Sequence, residues 1–324
     1  MMMMIGMFLM SLNQHSFQKN DFIFFTKLFI NMSLNKPIWK LREWIPEYKL
    51  EWFYVAMNSN ATQLLLDRNN WINPVYLSLN SNVMSIIHKT DWIDWYQLSA
   101  NPNAIKFLEK NLDKIYWCQL SSNPNAIHLL EQNPDKIDWF QLSSNPNAIH
   151  LLEQNPDKIN WRQLSANPNA IRLLQQNLKK INWRQLSSNP NAIRILKENH
   201  HKINWRQLSS NPNAINLLKE NPRKINWNEL SRNPNAVQLL EQNPDKIDWC
   251  QLSLNSNAIH LLKTNINKID WLYISSNPSI FELDYENMKK NNEKIYQELI
   301  KEVLKPSRVF KNPDYDYIEE LFGE

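Results

Sequence analysis

Residues 120–137 and residues 142–159 are the same eighteen amino acids, LSSNPNAIHLLEQNPDKI, written twice without a change. The identity belongs to a longer rhythm. Tryptophan stands at 95, 117, 139, 161, 183, 205, 227, 249 and 271, always 22 residues from the next. Two weaker copies precede these, one from Trp52 ("WFYVAMNSNATQLL") and one with Pro74 in the Trp place. About eleven units therefore fill the stretch 52–278. A fixed period of this length marks a repeat array, in which each unit packs on its neighbours rather than around one central core.

The unit carries its own start and stop signals. Asn145 precedes Pro146, which pushes the asparagine out of the helical region and suits it to an N-cap. Ala148, Ile149, Leu151 and Leu152 then follow at helical spacing. Asn155 is expected to end the helix in the left-handed region, and Pro156 forbids continuation. Asn189 and Asn199 repeat these two cap roles two array steps further on. A shorter helix starts at each Trp, with Asp138 or Asn160 placed to cap it. A leucine-rich repeat has a compatible period but needs a strand of alternating apolar residues, and no such alternation occurs. The expected fold is all-α, an α-solenoid of about eleven 22-residue two-helix repeats with N- and C-terminal helical caps.

One unit is too small to fold alone. Ordering 22 residues costs about 20–40 kcal/mol of backbone entropy, against about 10–20 kcal/mol from six or seven buried apolar side chains. Stacking must supply the rest. The Trp column (Trp117, Trp139, Trp161, Trp183, Trp205, Trp227, Trp249) is expected to be the structural core. Trp183→Ala should accordingly cost about 3–5 kcal/mol.

The ends read differently. Residues 1–31 are expected to be a disordered or non-native extension, with Met32 a natural start. The apolar run 22–30 is about half the length that spans a bilayer. Residues 32–51 read as an N-terminal cap, 52–278 as the solenoid, and 279–324 as a C-terminal helical cap or tail. Open stacks need such caps because their outer faces lack a neighbour.

"KPIWKLREWIPEYKLEW", the serial "W-x-x-L-S-x-N-P-N-A-I-x-L-L-x-x-N-P-x-K-I" and "NPSIFELDY" together resemble uncharacterised tandem repeat proteins of mimivirus-like giant DNA viruses of protists. The resemblance covers about 36–286. It implies a helical repeat and a viral source, and with them a host-cell cytoplasmic setting or a place in the virion. It supplies no activity.

Catalysis needs unlike residues converging on one spot, whereas the array offers each residue type in parallel columns. No phosphate loop, helical His pair or metal-spaced Cys pair occurs, so the expectation is no enzyme, no cofactor, no metal and no small-molecule ligand. His128 and His150 occupy equivalent slots, as does His260, and read as solvated. Cys118 and Cys250 lie six units apart, too far for a disulfide.

Information is left in the columns that vary. The slot after Trp reads Tyr96, Cys118, Phe140, Arg162, Arg184, Arg206, Asn228, Cys250, Leu272. The middle of the second helix reads Lys106, His128, His150, Arg172, Arg194, Asn216, Gln238, His260. Between 161 and 226 twelve Lys and Arg face only Glu198 and Glu220, a net of +10 in a chain whose total is +4. Arg162, Arg172, Arg184, Arg194 and Arg206 are the candidate partner-binding residues. The partner expected is a macromolecule, foremost a protein, on a non-enzymatic scaffold; no membrane is implied. Nucleic acid on the basic face of 161–226, or a structural virion role, are the alternatives. The Lys column (114, 136, 158, 180, 202, 224, 246, 268) is expected to pair with neighbouring acids.

Overall fold

The structure, a computed structural model, describes residues 37–67, 72–87 and 93–303. The stretches 1–31 and 304–324 of the expected terminal segments lie outside the described residues. Contacts divide the chain into two compact units, Trp39–Glu282 and the residues on either side of it. In the second, Asp284 accepts from Asn287 N at 3.1 Å and opens a single helix, Tyr285–Val303. All the repeats belong to the first.

The fold is a helical repeat of about eleven two-helix units. The unit at Trp161 shows how its sequence builds it. Asn160 caps the helix Trp161–Ala166 by accepting from Gln163 N. That helix ends at Asn167, held extended by Pro168 (φ −72°, ψ 118°). Its side chain accepts from Asn169 N and shapes the turn. The second helix runs Ile171–Gln176, three residues later than the proline. A 3-10 turn, Leu178–Lys180, then leads to Trp183.

Asn145 and Asn189 cap their turns in this way, each accepting from the backbone N–H two residues on. Asn155 and Asn199 end their helices, but not in the left-handed region: φ is −131° and −126°. Each donates its amide to the carbonyl four residues back, Leu151 and Ile195, at 2.9 Å. A side chain that satisfies an open carbonyl removes the need for the left-handed turn.

The centre of the array is half polar. Leu164, Ser165, Asn167, Ala170 and Leu174 are all buried, and their equivalents repeat in neighbouring units. Ser165 Oγ donates to Trp161 O and accepts from Asn182 N of the next unit at 2.9 Å. Asn167 Nδ2 donates to Ser143 O and Asn145 O of the preceding unit, at 3.2 and 2.9 Å. Asn169 Nδ2 adds a bond to Pro146 O. Every one of these inter-unit bonds joins a side chain to main chain. They hold whatever residues fill the exposed slots. Buried carbonyls left without donors would each cost about 1–3 kcal/mol, which is why Asn and Ser recur so strictly.

The seven core tryptophans are placed differently from expectation. They pack against the buried cluster, yet none is fully buried. The Lys column corrects a second expectation. Lys136, Lys158, Lys180, Lys202, Lys246 and Lys268 set Nζ 4.5–4.8 Å over the Trp ring of the preceding unit. Lys114 alone in the column pairs with an acid among the described residues, Asp113 at 3.6 Å. Adjacent residues on a helical turn point apart, while the half-open indole is an attractive seat for a cation, worth about 0.5–1 kcal/mol at an exposed site. Because Trp183 is only partly buried, Trp183→Ala should cost less than a fully buried site, about 2 kcal/mol. Leu186→Ala, at a fully buried site, should cost about 3–4 kcal/mol. Urea melts that reverse this order would contradict the assignment of inside and outside.

The two ends of the array meet. At the last unit the helix Trp271–Ile274 and the turn at Asn277 are ordinary. Where a second helix should follow, the chain forms a strand, β2 (Phe281–Leu283), paired with β1 (Trp39–Leu41). Arg42 fastens this junction through Ser279 O at 2.8 Å and the Glu282 carboxylate at 2.9 Å. The following turn, Glu47–Lys49, delivers Lys49, Leu50, Glu51 and Trp52 to the places that Lys, Ile, Asp and Trp take in any other unit. Four contacts between ordinary neighbours then recur between the first unit and the last. Glu51 N donates to Ser275 Oγ at 2.9 Å. Asn58 Nδ2 donates to Asn277 O at 3.0 Å. Asn60 Nδ2 donates to Pro278 O at 3.1 Å. Lys49 Nζ lies 4.9 Å over the Trp271 ring. The unit at Trp52 follows the unit at Trp271 as if the chain ran on. The array is closed, and the segments flanking it cap one another by completing a shared unit.

Candidate partner-binding surface

The surface that varies is built on the constant framework just described. Successive Trp helices pack directly on each other along most of the array. The slot after Trp is thereby repeated at one position of each unit, facing solvent. All five candidate arginines are exposed, but they form two columns. Arg162, Arg184 and Arg206 follow the tryptophans; Arg172 and Arg194 stand on second helices.

Three of the five are already engaged. Arg172 bonds Glu153 of the preceding unit at 2.6 Å. Arg194 bonds Glu198 one turn along its own helix at 3.1 Å. Arg206 bonds Glu229 of the following unit at 3.0 Å. Glu153 and Glu229 both lie outside 161–226, so flanking units offset part of the local +10. Arg162 and Arg184 have no ion pair among the described residues. Exposed pairs of this kind contribute about 0–1 kcal/mol each; their effect here is to decide which guanidiniums remain available.

The second-helix slot has its own pattern. His128, His150 and His260 reach Glu109, Glu131 and Glu241 of the preceding unit at 2.8–2.9 Å. This is the position from which Arg172 reaches Glu153. The histidines are thus spent on inter-unit bridges. No group of three or more potential metal ligands occurs among the described residues. Cys118 and Cys250 are both free. Partial burial, then the Asp270 and Asp248 carboxylates, push the Cys250 thiol up, which disfavours the reactive thiolate. Among the described residues no helix is long and apolar enough to cross a membrane.

Other members of the slot after Trp are large and apolar, and these were not singled out from sequence. Phe53, Tyr96, Phe140 and Leu272 are each 41–50% exposed. Phe53 touches Tyr76 of the next unit with ring centres 5.3 Å apart. Tyr96 meets Tyr116 edge-on at 5.5 Å. Tyr96, Phe140 and Leu272 are visible in the slot from sequence, but the strip they form with Phe53 is not. It could not be assembled because Leu272 and Phe53 stand at opposite ends of the sequence and become neighbours only through closure.

No protein-family model matches the chain, and neither a curated protein nor a solved structure is found to be similar to it.

Proposed function

We propose that the protein is a non-enzymatic scaffold that binds another protein through the exposed slots of its closed helical array. One observation carries this. From unit to unit the buried Leu, Ser, Asn and Ala are held constant, whereas the slot after Trp and the slot in the second helix change. A framework that fixes spacing while two surface columns vary is suited to presenting a long, position-coded face. The resemblance noted above favours a viral protein acting in the host cytoplasm.

Nucleic acid is the less favoured partner. Phosphate binding would draw on the whole basic face, and three of its five column arginines already hold carboxylates. The test is to change Arg162, Arg172, Arg184, Arg194 and Arg206 together to Glu. All five are exposed, so helix content and melting temperature should change little. Partner capture, compared with and without nuclease, should be lost. A nucleic-acid partner would show affinity falling about 0.7–0.9 log units per released counterion for each log unit of salt. Capture that survives both the reversal and nuclease would remove this face from the account.

A further inference from the structure

We infer that the side chains following the tryptophans form one composite docking strip, and that it takes an extended peptide segment whose apolar or aromatic half adjoins an acidic half. The inference rests on the scaffold reading and names its site and ligand chemistry. Closure makes the strip continuous. Leu272 leads into Phe53, then past the partly buried Val75 to Tyr96 and past the partly buried Cys118 to Phe140, and the next two units carry Arg162 and Arg184. The apolar arc thus ends where the unpaired arginines begin.

Packing does not account for the apolar members. The same slot accepts Arg184, Arg206 and Asn228 with the buried framework beneath unchanged: Ser187, Ser209 and Ser231 all remain at 0% exposure. A half-exposed Phe140 is therefore not required by the fold. Single exposed apolar residues need no explanation, but four of them in one slot, separated only by the partly buried Val75 and Cys118, mark an interaction surface. Phe53 on Tyr76 and Tyr96 on Tyr116 extend the apolar surface from these slots into the next unit.

Charge complementarity selects the occupant. Among the described residues Arg162 and Arg184 have no carboxylate of their own, whereas Arg206, one unit on, is bound to Glu229. Guanidiniums are suited to paired recognition of carboxylates, and the apolar arc beside them offers desolvated area. From Tyr96 to Arg184 is four units, roughly 32–40 Å at the usual helix spacing of about 8–10 Å. An extended chain covers that in about ten to twelve residues.

The experiment uses the full chain and three fluorescein-labelled synthetic peptides, followed by polarisation. The first joins a six-residue block alternating Phe or Leu with Ser to a six-residue block alternating Asp or Glu with Ser. The second scrambles the same residues, and the third carries the acidic block alone. The joined peptide should bind at least ten-fold tighter than either of the others. The pair Arg162→Glu and Arg184→Glu should weaken it ten-fold or more. So should the pair Tyr96→Asn and Phe140→Asn, which places in the slot the residue that unit 227 already carries there, as Asn228. If the acidic block alone matches the joined peptide and the asparagine pair binds normally, the strip is overturned, while a protein-binding basic face survives. If no peptide binds, the strip is overturned too. The scaffold reading then stands or falls on the five-fold reversal, which uses a captured partner and none of these peptides.

Discussion

Asn189→Ala should lower the stability of the array by about 3–5 kcal/mol, more than any exposed substitution in the same unit. Asn189 is 1% exposed. Its Nδ2 donates to Ser165 O at 3.1 Å and Asn167 O at 2.9 Å, both in the preceding unit. Its Oδ1 accepts from Asn191 N at 3.0 Å. Alanine removes all three. Ser165 O is left without a donor, at about 1–3 kcal/mol, Asn167 O keeps only Ala170 N and loses a bond worth about 0.5–1.5 kcal/mol, and a cap worth about 1 kcal/mol goes with them. Arg184→Ala, a few residues away and exposed, should stay within about 0.5 kcal/mol. Asn189→Asp separates cap from ladder. Aspartate caps as well as asparagine does, but it cannot donate and would bury a charge. Aspartate should therefore be at least as damaging as alanine in a urea melt. A near-neutral aspartate would reduce Asn189 to a local cap.

Phe281→Ala should cost a similar 3–5 kcal/mol, and the more telling result is where the damage appears. Phe281 is the largest fully buried side chain among the described residues, at 1% exposure. It begins β2, whose pairing with β1 closes the array. In an open stack a lesion here would loosen the unit at Trp271 and leave the unit at Trp52, ten steps away, untouched. In the closed array both should loosen together. Hydrogen exchange should speed up at the amides of Asn58 and Ala61 as well as at those of Asn277 and Ile280, which take part in the same turn bonds on the two sides. Amides near Leu186, far from the junction on either path, should change least. Stability would otherwise spread through local openings confined to neighbouring units.

Much of this fold was legible in the sequence. The period set the unit, Asn-Pro set the turn after the Trp helix, and Asp138 and Asn160 were recognisable as caps. Other features need the third dimension. Asn145 was readable as a cap through its oxygen, but its amide reaches carbonyls 22 and 24 residues earlier, and nothing local announces that. Ser143 looks like an ordinary helix serine until its hydroxyl is seen to hold Asn160 N of the next unit. Tryptophan misleads because size suggests the core, whereas at the unit's edge it becomes a platform for the next unit's lysine. Closure was hidden for a topological reason. Residues 38–51 and 278–283 lack the repeat's signature because each supplies only part of one unit, so both read as caps of separate ends. The basic run was visible as charge; which arginines are free depends on Glu153 and Glu229, contributed from outside it.

A distance across the junction tests closure of the array most directly. With Cys118 and Cys250 replaced by serine, spin labels would be placed at Phe53 and Leu272, and in a second protein at Arg184 and Arg206. The second pair sits on successive units and reports the ordinary step, on the order of 8–10 Å between packed helices. Pulsed electron–electron resonance should give the two pairs closely similar short distances, since Phe53 follows Leu272 as Arg206 follows Arg184. An open stack would hold Phe53 and Leu272 ten steps apart, on the order of 80–100 Å if straight, and a long distance for that pair beside a short one for the reference would contradict the closed array.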